Sequence, residues 1–182
     1  MSSSMEQMYQ QVILDHAKSP HGRGFVELAE GHLHGESHQI NPTCGDEVTM
    51  RVEFDTADPE APTISRVSWE GQGCSISQAS LSVLTDLVTG APVAESEHLG
   101  ELFRQLMQSR GKGLDDERED ELGDATVFTG VSQYPARIKC ALLGWAALRD
   151  TLATSGVLAG PGTASQPSLD HPLSPQSPQE NR

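Results

Sequence analysis

One stretch constrains this chain more than any other: Gly71-Gln72-Gly73-Cys74-Ser75-Ile76-Ser77-Gln78-Ala79-Ser80. A strand-like run ends at Trp69, just before it, and a run with helical period leaves it. The chain must therefore pass from strand to helix within a few residues. Gly71 and Gly73 read as a sharp turn, because glycine carries no Cβ penalty. Cys74 then falls at the helix start, where free N–H groups and the helix dipole favour a thiolate. The other two cysteines have similar framing. Cys44 lies in Pro42-Thr43-Cys44-Gly45-Asp46, a turn between strand-like segments, and Cys140 follows Tyr134-Pro135-Ala136-Arg137-Ile138-Lys139 near the start of the last helix. Three cysteines are an odd number, which disfavours a disulfide framework. Two readings remain: three unrelated buried thiols, or one site in which Cys44, Cys74 and Cys140 meet Asp46. The shared glycine and helix-start framing favours the single site.

The rest of the chain supplies elements to carry it. Ser4 to Lys18 is expected to be a helix, with Ser4 and Gln7 as a capping box. Met5, Met8, Tyr9, Val12 and Ile13 give it one apolar face, suited to the core or to a partner. Leu33 to Ile40 reads as an edge strand carrying His34 and His38, and with His32 these are expected to be surface histidines. Glu47 to Phe54 alternates cleanly, with Val48, Met50, Val52 and Phe54 on one face. Thr63 to Trp69 is its return strand, and a slip in alternation between Ile64 and Val67 predicts a bulge. Ser75 to Thr89 and Glu95 to Ser109 read as amphipathic helices. Residues 110–131 read as a charged insertion, a solvated loop or short helix around Asp115 to Glu121. Pro135 to Leu152 is the last helix, and a stripe of Cys140, Gly144 and Ala147 is expected to leave Cys140 open to a ligand.

Residues 1–155 are long enough for one domain with a real core. Residues 156–182 are rich in Gly, Pro, Ser and Gln and are expected to form a disordered tail. The formal net charge of −14 argues against general nucleic-acid binding, which needs a basic surface. No apolar run approaches a membrane span. The first residues lack the basic and apolar regions of a signal peptide, so a cytoplasmic location is expected.

Thiolates bind zinc, iron and copper(I), and a carboxylate can complete a tetrahedral set. Three thiolates and a carboxylate outweigh a dication, so a nearby cation would ease the site; Arg137 and Lys139 are the candidates. The wide separation of the cysteines matches no zinc finger or ribbon.

Three motifs, Asn41-Pro42-Thr43-Cys44-Gly45-Asp46, Gly71 to Ser80, and Arg137-Ile138-Lys139-Cys140, resemble those of the IscU/NifU N-terminal family of iron–sulfur assembly proteins. The opening segment Tyr9 to Gly24 is also similar, and the likeness extends over residues 5–153. The insertion before the third cysteine, and Lys139 where IscU-type scaffolds carry His, resemble the SufU branch. The Leu-Pro-Pro-Val-Lys chaperone signature of IscU-type scaffolds is missing.

The resemblance implies an α+β fold with a small, mainly antiparallel three-stranded sheet packed against helices. It implies zinc held by Cys44, Asp46, Cys74 and Cys140. It also implies sulfane sulfur accepted from a pyridoxal-phosphate cysteine desulfurase of the SufS type. Cys44, on a glycine-flanked loop, is the expected sulfur acceptor and thus the catalytic residue. The same ligands could instead assemble an iron–sulfur cluster. The domain could also serve as a non-catalytic, zinc-stabilised activator of the desulfurase.

Overall fold

The computed structural model describes residues 4–159. Three strands, β1 (Leu33–Asn41), β2 (Asp46–Asp55) and β3 (Thr63–Gln72), form an antiparallel sheet in the order β1-β2-β3. The helices are α1 (Ser4–Lys18), α2 (Ser75–Val88), α3 (Val93–Gln108), α4 (Asp116–Leu122) and α5 (Pro135–Thr154). A 3-10 helix, Gly123–Gln133, joins α4 to α5. The arrangement is the expected α+β fold.

The alternating side chains of β2 build the sheet's inner face: Val48, Met50, Val52 and Phe54 are all buried. Helix α5 packs across β1 and β2 and against α2. Phe103 of α3 sits between two aromatic rings, edge-to-face with Phe128 at 5.7 Å and stacked on Trp145 at 4.9 Å. The expected bulge is present. Glu53 pairs with Arg66 while Phe54 pairs with Ile64, which leaves Ser65 as the extra residue. Glu53 departs from the polar outer face, because it is buried. Its carboxylate accepts hydrogen bonds from Arg66 at 3.3 Å and from the Ala29 N–H at 3.1 Å.

Three expectations need correction. Strand β3 continues to Gln72 and takes Gly71 into the ladder opposite Val48. Neither Gly71 nor Gly73 has a positive φ, so neither makes the sharp turn expected of it. Their role is close approach: a Cβ at Gly71 would collide with the Glu47 carbonyl oxygen. Second, Asp115 to Glu121 does lie in the expected short solvated helix, but the insertion is not charged throughout. Ala125, Phe128 and Val131 recur every third residue, the period of a 3-10 helix, and all three are buried. The acidic run before them hides that pattern in the sequence. Third, the small-residue stripe on α5 does not open Cys140. At Gly144 a Cβ would lie 2.6 Å from Leu81 Cδ2, so this glycine lets α5 approach α2. Cys140 itself is buried.

Helix α1 divides its apolar face. Ile13 is buried, Tyr9 and Val12 are half-buried, and Met5 and Met8 are exposed. No helix among the described residues is long and apolar enough to cross a membrane. Most of the tail expected from residue 156 onward lies outside the described residues. The part that is described contributes Val157, which is buried against the core. A chain ending at Ser155 should therefore be about 1.5–3 kcal/mol less stable than one ending at Ala159, the value of burying one valine. Urea midpoints of the two chains check this; equal midpoints would show that Val157 packs without stabilising.

Candidate metal centre

The site forms where the β1–β2 turn meets the starts of α2 and the second turn of α5. Asn41 ends β1, and its carbonyl accepts the Gly45 N–H at 2.8 Å. Its side-chain oxygen accepts the Thr43 N–H at 3.1 Å, an Asx-type turn. Gly45 has φ +75°, a left-handed conformation that glycine adopts without strain. This tight turn projects Cys44 outward and sets Asp46 as the first residue of β2.

Cys74 is the N-cap residue of α2, with extended backbone. Its N–H lies 3.3 Å from Asp46 Oδ1, and its Sγ lies 3.6 Å from Asp46 Oδ2. Gly73 makes this approach possible, because a Cβ there would stand 2.9 Å from Asp46 Cγ. Cys44 Sγ and Cys140 Sγ are 3.6 Å apart. Ligand atoms of Cys44, Asp46 and Cys140 all lie within 4.8 Å of one another. The four residues singled out from sequence thus meet, with Cys74 joined to the tightest group through Asp46.

Exposure is graded across the three thiols: Cys44 is exposed, Cys74 intermediate and Cys140 buried. The electrostatics follow from one carboxylate among thiols. Burial disfavours the charged form of Asp46, yet hydrogen bonds from Cys140, Cys44 and Cys74 outweigh it and hold Asp46 below the usual carboxylate value. Burial, and then the Asp46 carboxylate beside it, push the Cys140 thiol up.

The donor set fits a tetrahedral dication. Zinc–sulfur bonds of about 2.3 Å place two thiolates roughly 3.8 Å apart, close to the Cys44–Cys140 separation. A bound dication reverses the bias at Cys140, since a coordinating thiol is deprotonated outright. Binding would release thiol protons and should weaken as pH falls.

The two expected cations divide. Lys139 Nζ reaches the cysteine turn, 3.5 Å from Thr43 Oγ1. Arg137 is exposed and lines a neighbouring hollow of about 670 Å³ with Tyr9, Ile76 and Tyr134. His32, His34 and His38 are exposed, as expected, and His38 Nδ1 lies 2.8 Å from Thr49 Oγ1 across the strand. Sequence reasoning passed over the turn-building role of Asn41. The signal was its place before a Pro-x-x-Gly turn, a position where Asn side chains commonly bond the backbone.

Comparison with known proteins agrees with this geometry. The NifU-like N terminal domain family matches residues 8–141. The zinc-dependent sulfurtransferase SufU of Bacillus subtilis is 35% identical over 155 residues, 84% of this chain and 94% of that protein. The iron-sulfur cluster assembly scaffold protein IscU of Streptococcus pyogenes serotype M1 is 35% identical over 153 residues, 84% of this chain and 87% of that protein. Among solved structures, a protein of Fervidobacterium islandicum AW-1 described as a putative iron-sulfur cluster assembly scaffold protein for the SUF system superposes with a TM-score of 0.67 and 33% identity. That match covers 82% of this chain and 99% of the other. Fold, motif order and relatives agree: the chain belongs to the NifU-like N-terminal domain family, alongside the SufU and IscU proteins of iron–sulfur cluster assembly.

Proposed function

We propose that the protein is a zinc-dependent sulfur acceptor in iron–sulfur cluster assembly, taking sulfane sulfur from a pyridoxal-phosphate cysteine desulfurase of the SufS type. Zinc would be held by Cys44, Asp46, Cys74 and Cys140. The observation that carries this reading is the graded exposure of the thiols. A tight donor set has one member, Cys44, at the surface on a glycine-flanked turn, while Cys140 is buried on a helix.

When bound, zinc keeps the thiols ionised at neutral pH. Cys44 is the thiol that can swing toward an incoming persulfide. Its thiolate attacks the terminal sulfur of the desulfurase persulfide, and a new S–S bond forms on Cys44. The old S–S bond breaks, and its electron pair leaves with the desulfurase cysteine, which takes up a proton. No net oxidation occurs. Asp46 holds Cys74 through two contacts and keeps the remaining donors together while Cys44 moves.

A second reading, assembly of an iron–sulfur cluster on the same donors, rests on the IscU relative, which is named a scaffold. Metal content after aerobic purification separates the two. About one zinc per chain supports sulfur transfer, and a coloured iron–sulfur species supports the scaffold. A zinc protein that stimulates the desulfurase without ever carrying sulfur would instead be an activator. Mass spectrometry after reaction with cysteine and the desulfurase decides that point.

Zinc should also stabilise the fold. In small metal-dependent domains the contribution is of order 10 kcal/mol, but this chain has a large core of its own. Chelation is therefore expected to lower the melting temperature without complete unfolding. An unchanged melting curve after verified metal removal would contradict a structural contribution from the site.

A further inference from the structure

A second group of metal-ligating side chains lies away from the cysteines. We propose that His16, His21 and Asp86 form a separate site for a divalent first-row transition-metal ion, bound through two imidazole nitrogens and one carboxylate oxygen. Their ligand atoms all lie within 4.8 Å of one another. Two histidines and one carboxylate suit zinc, nickel or iron(II), and three protein ligands leave positions open to water or a small ligand.

The group is built rather than casual. His16 lies in the last turn of α1, His21 in the loop after it, and Asp86 on α2. One hydroxyl on α2 orders both histidines: Ser82 Oγ accepts the His21 backbone N–H at 2.8 Å and lies 2.7 Å from His16 Nδ1. With His16 Nδ1–H donating to Ser82, Nε2 is left as the ligand nitrogen, the arrangement usual for metal-bound histidine. Trp69 Nε1–H donates to the His21 carbonyl at 2.9 Å. The next residue, Gly22, has φ +76°, and a Cβ there would lie 2.8 Å from the Thr85 side chain. The backbone at His21 is thus pressed onto α2. His21 Nδ1 already lies 2.7 Å from Asp86 Oδ2, and the two histidine rings stand edge-to-face with centroids 5.3 Å apart.

The site is independent of the cysteine cluster. Asp86 lies twelve residues beyond Cys74, the N-cap of the same helix, and a helical rise of about 1.5 Å per residue separates them by roughly 18 Å. Two imidazoles and one carboxylate leave a dication with net positive charge, and the surrounding chain carries −14.

Zinc is the probe, on the tag-free full-length chain. Equilibrium dialysis should give two zinc ions per chain, one at the cysteines and a weaker one here. His21→Ala and Asp86→Asn should each lose the weaker equivalent and keep the first. Both positions are about half exposed, so neither change should unfold the chain. The triple variant His32→Ala, His34→Ala, His38→Ala should keep both equivalents. Cobalt(II) supplies a second readout. The cysteine site should show sulfur-to-metal charge-transfer absorption, and the second equivalent should add only weak visible bands. Wild-type protein that stops at one zinc, unchanged in His21→Ala and Asp86→Asn, overturns the proposal. So does a second equivalent that survives both His21→Ala and Asp86→Asn, or one that adds thiolate absorption.

Discussion

Cys44→Ser is expected to retain much of its zinc and to gain no sulfur at all. Cys44 is the exposed thiol of the set, on a turn whose left-handed residue is Gly45. Asp46, Cys74 and Cys140 stay in place without it, held by the Asp46–Cys74 contacts and by the burial of Cys140 on α5. A serine hydroxyl is not a nucleophile toward a persulfide at neutral pH, so uptake should fall to background rather than by a modest factor. Cys140→Ser and Cys74→Ser should behave in the opposite order, losing metal first and sulfur uptake as a consequence. Asp46→Ala should weaken both together. It removes the carboxylate that the Cys74 N–H and thiol both face, and it opens the site to water. The measurement is mass spectrometry of each variant after reaction with cysteine and the partner desulfurase, read beside zinc per chain. Sulfur found on Cys74 or Cys140 in Cys44→Ser would sink the assignment, and the argument from exposure with it.

How much of this was legible in the sequence depended on whether one pattern dominated each segment. Val48, Met50, Val52 and Phe54 alternate without interruption, so β2 and its buried face could be read directly. The slip after Ile64 gave the bulge, because a period of two cannot absorb an extra residue silently. The helical period of Ser75 to Thr89 matches α2 within one residue, its end set by Gly90 at φ +83°. The insertion is legible only around its short helix, because two signals overlap there. Asp115 to Glu121 is charged, and Asp115 does cap a short helix by accepting the Arg118 N–H. The 3-10 period of Ala125, Phe128 and Val131 fits neither a 3.6 nor a 2.0 template. Cys140 looked open because small residues beside it can mean either a ligand space or a close helix contact. Only the position of Leu81 against Gly144 decides for the contact.

The site itself was legible as a set of residues and not as a geometry. The cysteines and Asp46 were marked by their local framing. That Cys140 would be the inner thiol and Cys44 the outer one follows from how α5 lies across β1 and β2, which is a tertiary fact. The His16, His21 and Asp86 group had no comparable framing. Its members come from α1, the following loop and α2, and nothing local ties His21 to Asp86.

Gly71→Ala should be among the most destabilising single changes outside the metal ligands, and it should damage the site without touching a donor atom. Gly71 faces Val48 in the β2–β3 ladder, where an added Cβ would strike the Glu47 carbonyl oxygen and lie 3.0 Å from Val48 Cα. Both obstacles are backbone, so no rotamer change relieves them. Overpacking of this kind costs about 1–3 kcal/mol or more, and here the upper part of that range is expected. For a domain of this size that corresponds to a melting shift of roughly 6–12 °C. The strand can respond by moving away from β2, and Asp46 and Cys74 lie just beyond the two sides of that contact. Zinc affinity should therefore fall along with stability. Gly73→Ala should split the two effects. Its Cβ would press on Asp46 Cγ and on the Ser77 hydroxyl, which are side-chain atoms at the end of the ladder. Metal loss with a smaller stability loss is expected. Gly130→Ala is the control, since nothing lies within 4 Å of a Cβ there and its φ is not positive. Urea midpoints on metal-free protein, together with zinc per chain, separate the three. If Gly71→Ala matches Gly130→Ala in both, then close approach at the ladder does not set the site, and the role given to this glycine is wrong.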